Sequence, residues 1–237
     1  MSKNFLPEYE KRKDEVQYFL KILKHFDSYD KKVSGKRLFN FNEFTYTDYF
    51  KMLRSSFILI LYSYIENSIS LFMQELYSRL ENEDISYNMA INNLKELYLK
   101  NLFVDTFKKD ASYNTYERKA LELIKQAIED KKIKLTITKL NISGNVSGEI
   151  IKKIWENHGI EFSSISKSLY PNQYTIDTIK NQRNALAHGR ESFRESGAKY
   201  SVLDLERYYT EISKLLDDLK LSIKNFIDNK EYLQNRE

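Results

Sequence analysis

The chain has 237 residues, with 38 Lys+Arg against 34 Asp+Glu and no cysteine. The missing cysteine excludes a disulfide framework, a thiolate metal site and a cysteine nucleophile, while 2 Pro and 6 Gly argue against a loop-rich sandwich or a Gly-rich nucleotide cradle. At 41% apolar the chain can bury a large core, and a net charge of +4 permits a polyanionic partner without requiring one.

In chain order, helical periodicity dominates. Residues 6–32 place Val16, Phe19, Leu20, Leu23 and Phe26 at three- and four-residue steps, which predicts one amphipathic helix. Gly35 and the polar-aromatic stretch to Asn42 read as a loop. A long helix is expected over residues 45–80, with Ile58, Leu61, Tyr62, Ile65, Ile69, Phe72 and Leu76 on one face. Weaker helical patterns follow at residues 90–100 and 116–131. Residues 134–142 (KLTITKLNI) alternate polar and apolar side chains, a pattern compatible with a short strand. The glycine-marked stretch Ser143 to Gly148 then precedes a short amphipathic segment with Ile150, Ile151, Ile154 and Trp155, closed by Gly159.

After Pro171 a helix is expected over residues 175–188, ended by Gly189. The last helix, over residues 202–229, starts at a capping pair, Ser201 and Asp204. Its inner face carries Tyr208, Ile212, Leu215, Leu219 and Phe226. No linker composition divides the chain. The expectation is an all-α bundle with a small irregular insert around residues 133–148. Residues 1–42 form its N-terminal helix and loop, residues 43–230 its main body, and the two make one compact unit. The start lacks an apolar leader segment, and the longest apolar run, residues 57–62, is far below the roughly 18 residues of a membrane span. A soluble, cytoplasmic protein without a membrane partner is therefore expected.

Chemistry is scarce in this sequence. No phosphate loop, dinucleotide fingerprint or nucleophile elbow is present. The three histidines are His25, His158 and His188, none of them at zinc-ligand spacing, so neither a metal nor a cofactor is expected. His25 and His158 read as structural. His188 differs because of the segment before it. At about 100° per residue, Asp177, Asn181, Asn184 and His188 share one polar stripe, and Ile176, Ile179, Leu186 and Ala187 make the apolar one. Arg183 projects into the apolar stripe. A guanidinium cannot shed its charge there, so it needs a carboxylate, a subunit boundary or a solvent cleft. Glu66, beside the apolar face of the long helix, is a candidate acid. An imidazole moves protons near neutral pH and a guanidinium holds a phosphate, which together suffice for metal-free cleavage of RNA by its own 2′-hydroxyl.

The string from Arg183 to Gly189, RNALAHG, contains an R-x4-H pattern and resembles the motif of the HEPN superfamily, all-helical domains found in many prokaryotic RNA-cutting toxins and defence proteins. Leu61 to Glu66 is similar to the YxxxE helix of its MAE-type branch. Gly144-Asn145-Val146-Ser147, with Ile154 and Gly159-Ile160, is similar to that branch's GNxS stretch. The resemblance covers about residues 46–227 and leaves the first 40 outside it. It implies a homodimer with a composite active site in which Arg183 contacts the scissile phosphate and His188 does acid–base or phosphate-stabilising work. Asn184 would orient one of them or the RNA, and Glu66 would position Arg183.

The implied function is a metal-independent endoribonuclease acting as a toxin or anti-phage effector, with an antitoxin or defence-system partner. The alternative is a non-catalytic RNA-binding or protein-interaction module. Lys180, Arg190 and Arg194 flank the motif as candidate RNA-binding residues, offset by Glu191 and Glu195. Arg190 stands where nucleotidylated HEPN toxins carry a tyrosine, so that mode of silencing and its nucleotidyltransferase antitoxin are not expected.

Overall fold

The structure is a computed structural model that describes residues 5–33, 45–104, 113–140, 142–161 and 169–234. The expected loop at 35–42 lies outside them. Among the described residues eight α-helices run in the order α1 (Leu6–Val33), α2 (Tyr46–Asn82), α3 (Asn92–Val104), α4 (Tyr113–Ile128), α5 (Gly148–His158), α6 (Leu169–Ala187), α7 (Phe193–Ala198) and α8 (Val202–Asp228). The all-α class is thus the observed one.

The long helix α2 organises the bundle. Thr45 starts it through a capping box: its hydroxyl accepts the Asp48 N–H, and the Asp48 carboxylate accepts the Thr45 N–H. Phe57, Ile58, Leu61, Ile65, Ile69, Phe72, Met73 and Leu76 are all buried, and α1, α6, α7 and α8 pack around them. By length and composition α2 is apolar enough to cross a membrane, a property that the six-residue run at 57–62 understates. Here it is the central helix of the bundle.

Helix α1 joins the same core. The Tyr9 hydroxyl donates to Asp217 Oδ1 at 2.9 Å and accepts from the Tyr64 hydroxyl at 3.0 Å, so α1, α2 and α8 meet at one buried polar point. Helix α5 is pinned to α8 by the Trp155 indole N–H, which donates to Ser222 Oγ at 2.8 Å.

Two expectations change. The described residues of the segment 134–142 form no strand; residues 137–140 make a 3₁₀ turn, and pairing occurs just upstream as a single bridge, Ser86 with Lys132. The Ile133 N–H donates to the Ile85 carbonyl, and the Tyr87 N–H to that of Lys131. Leu135, Ile137 and Leu140 turn toward the helical core, which offers apolar contact where the short segment at 85–87 offers little more backbone to pair with. Helix α6 begins at Leu169, before the expected start, because Pro171 falls in the first turn, where no intrahelical N–H is needed.

Helix α7 is short and closely docked. A Cβ on Gly197 would stand 1.8 Å from the Lys51 carbonyl oxygen of α2, so only glycine permits this approach. Ser55 donates to the Phe193 carbonyl, and Arg54 to the Tyr200 carbonyl at 2.7 Å.

His158 is fully buried, consistent with a structural role. Its Nδ1 lies 2.5 Å from the Ile154 carbonyl, which can only accept, so Nδ1 carries the proton and Nε2 accepts from the Tyr77 hydroxyl at 2.8 Å. Burial pushes its pKa from 6.5 down to about 4.

Two stability predictions result. Gly197→Ala should lower the urea unfolding midpoint by an amount equivalent to about 1–3 kcal/mol or more; an unchanged midpoint would contradict the α7 docking. As pH falls from about 6.5 to about 4, the unfolded chain takes up a proton at His158 that the folded chain refuses. Stability should therefore drop by roughly 3 kcal/mol across that window. His158→Gln should flatten this slope in pH-dependent unfolding, and an identical slope would show that another group causes it.

Candidate functional site

Helix α6 supplies the motif, and its buried arc is set by Ile176, Ile179 and Leu186. Arg183 leaves the helix within that arc, half-buried. Its Cζ lies over the Tyr62 ring, 4.9 Å from the centroid, and its Nη1 donates to Asn184 Oδ1 at 2.9 Å. The guanidinium nitrogens lie beside Gly144, where a Cβ would come within 3.6 Å of both. Among the described residues Arg183 forms no ion pair. Stacking on an aromatic face therefore takes the place of the carboxylate that its position on the helical wheel called for.

The loop beside Arg183 is held by α2. The Val146 N–H donates to the Tyr62 hydroxyl at 3.0 Å, and the Gly144 N–H donates to Glu66 Oε1 at 3.3 Å. Tyr62 and Glu66 stand one helical turn apart, so one face of α2 grips two backbone amides of one turn. Gly144 adopts φ 71°, a left-handed conformation suited to glycine, and the Asn145 N–H closes the turn on the Ile142 carbonyl. Ser147 then caps α5 by accepting the Ile150 N–H. Burial raises the pKa of the Tyr62 hydroxyl, against the opposing effect of the Val146 N–H, and keeps it protonated. Glu66 was expected to position Arg183. It makes no ion pair with it, because its carboxylate is turned to the Gly144 amide; its effect on Arg183 runs through the loop.

His188 sits just past the end of α6. The Gly189 N–H donates to the Leu186 carbonyl and the Arg190 N–H to that of Ala185, a Schellman closure with Gly189 at φ 64°. The imidazole is exposed and makes no hydrogen bond to the described residues. It lies five positions after Arg183, which on helical geometry amounts to about 140° of rotation and about 7.5 Å of rise. Their Cα–Cβ bonds therefore leave the α6 axis in different directions. Asn184 lies between them, about 100° from Arg183.

The candidate RNA contacts also divide. Lys180 is half-buried near Glu149, whereas Arg190 and Arg194 are exposed, with Arg194 near Asp48. Lys199 is engaged by Glu191.

Sequence patterning did not single out Gln182. It is 7% exposed, and its amide nitrogen donates to Glu191 Oε2 at 2.7 Å and to Ser196 Oγ at 2.9 Å, while its carbonyl accepts from the Tyr200 hydroxyl at 3.2 Å. The available signal was a neutral amide at the edge of the buried arc, one residue before Arg183. A permanent cation half-buried on an aromatic ring and an exposed imidazole can bind a phosphate and transfer a proton. Among the described residues no three His, Asp or Glu side chains gather as a metal site would require.

Residues 1–232 match a family model described as MAE_28990-like HEPN, and the chain belongs to that family. The match includes α1, which corrects the expectation that the first 40 residues lie outside the resemblance. No curated protein and no solved structure matches the chain.

Tyr62→Phe keeps the ring under Arg183 but leaves the buried Val146 N–H without its acceptor. It should cost about 1–3 kcal/mol in urea unfolding. Stability equal to that of the parent would remove the hydroxyl from this account.

Proposed function

We propose that this HEPN-family chain is a metal-independent endoribonuclease whose active site forms between two copies. The observation that carries the reading is the Arg183 guanidinium: half-buried, stacked on Tyr62, and without an ion pair among the described residues. A cation held in this way keeps its charge available for a phosphate. Within the family's R-x4-H arrangement, the phosphodiester of RNA is the substrate that suits it.

In this reading the RNA 2′-oxygen attacks the adjacent phosphorus. A P–O2′ bond forms, the P–O5′ bond breaks, and the products are a 2′,3′-cyclic phosphate and a 5′-hydroxyl. Arg183 pairs with the non-bridging oxygens and stabilises their added negative charge. His188 of the other copy takes the 2′-hydroxyl proton, a solvent water protonates the departing O5′, and the imidazolium then returns its proton to solvent. The divergence of Arg183 and His188 around α6 supports the same arrangement, since a second copy supplies what one chain directs elsewhere. Asn184 fixes the guanidinium through its Oδ1, and Glu66 acts through the Gly144 turn. The setting proposed from the resemblance is a cytoplasmic toxin or anti-phage effector restrained by a partner.

Purified protein should cleave mixed RNAs in EDTA and leave 2′,3′-cyclic phosphate ends. Arg183→Ala and His188→Ala should each lower the rate by about 100-fold or more. Parental cleavage by either variant would refute these roles. RNA binding without cleavage by the parent would instead favour the non-catalytic module.

A further inference from the structure

We propose that Gln182 is a positioning residue for this site: its buried amide sets the turn that carries His188 at a fixed rotation about α6 relative to Arg183. The inference rests on the function proposed above and extends it to a residue that touches neither phosphate nor proton.

Three directions leave the C-terminal end of α6. Taking Arg183 as the reference, Gln182 projects about 100° to one side and His188 about 140° to the other. Arg183 is fixed on α2 by Tyr62. His188 has no side-chain partner among the described residues, so its placement depends on how the chain leaves α6. That chain runs through Gly189 and Arg190 to Glu191, and Glu191 is where Gln182 takes hold of it. The same amide reaches Ser196 in α7 and Tyr200 beyond it, so all three partners lie on the segment that follows His188.

This segment is rigid at its far end. Gly197 lies against the Lys51 carbonyl, Ser55 holds the Phe193 carbonyl, and Arg54 holds the Tyr200 carbonyl. The turn at 188–190 is therefore suspended between α6 and a docked α7, and Gln182 joins the two across it. Ser196 is fully buried and Tyr200 nearly so, which means that an apolar residue at 182 would leave both hydroxyls without this partner. A buried amide with both donor directions and its carbonyl in use is strongly constrained in orientation.

Two variants test this. Gln182→Met keeps the length and apolar stem but loses every hydrogen bond. The exchanged pair, Gln182→Glu with Glu191→Gln, reverses donor and acceptor: a carboxylate at 182 accepts from the new amide, Ser196 and Tyr200. In Gln182→Met, amide hydrogen exchange at Gly189, Arg190 and Glu191 should quicken by about tenfold or more, with α8 unchanged. RNA cleavage should lose about tenfold in kcat with KM unaltered. The exchanged pair should recover both to within about threefold. Parental exchange rates at 189–191 in Gln182→Met would overturn the proposal. So would faster exchange throughout α8, or a rise in KM at constant kcat. A parent that cleaves no RNA defeats the functional reading separately, and the exchange rates then decide the positioning claim alone.

Discussion

The Tyr62 side chain makes two contacts at once, and the candidate site depends on both. Its ring carries the Arg183 guanidinium, and its hydroxyl holds the Val146 N–H. A cation–π contact of this kind contributes about 0.5–2 kcal/mol and a buried hydrogen bond about 1 kcal/mol. Neither is large against the whole fold. Their importance is geometric, because Tyr62 sits on the buried central helix and transmits its rigidity to α6 and to the Gly144 turn. Glu66, one turn later, adds a second grip on that turn. The YxxxE and GNxS segments are thus two halves of one clamp, and the arginine is the group placed beside it.

Helix α6 is held against rotation by this clamp on one side and by Gln182 on another. What remains is the direction of His188, which opens to solvent. The arrangement costs stability, since a half-buried guanidinium without an ion pair among the described residues loses hydration that stacking only partly replaces. A fold optimised for stability alone would pair that charge or remove it. In the proposed function the same property is useful, because an approaching phosphate meets a cation already oriented and already partly dehydrated.

Much of this was legible in the sequence, for physical reasons that can be named. The α2 and α8 stripes are long enough for a 3.6-residue period to be distinctive, and Ser201 with Asp204 marked the α8 start as a capping box that the structure contains. Arg183 stood out as a cation in an apolar arc. Its solution did not, because an aromatic face 121 positions upstream leaves no local trace; only the resemblance joined the two segments. Helix α7 escaped because six residues cannot display a period, although Ser192 and Glu195 spelled its capping box. Residues 134–142 misled because Thr-Ile alternation reads as strand wherever it occurs, yet a strand needs an edge to pair with, and that edge is a tertiary fact. Gln182 was hidden because a polar residue beside a charged one looks solvated until its partners at 191, 196 and 200 fold over it.

The central claim is that Arg183 and His188, divergent within a chain, act together across two copies. Mixing Arg183→Ala protein with His188→Ala protein, after conditions that let subunits exchange, tests it most directly. If each site takes its arginine from one copy and its histidine from the other, a mixed dimer has one intact site and one empty one. The mixture is expected to cleave RNA at a substantial fraction of the parental rate while neither variant alone does so. A mixture as inactive as its two components, from a parent that cleaves, would contradict it.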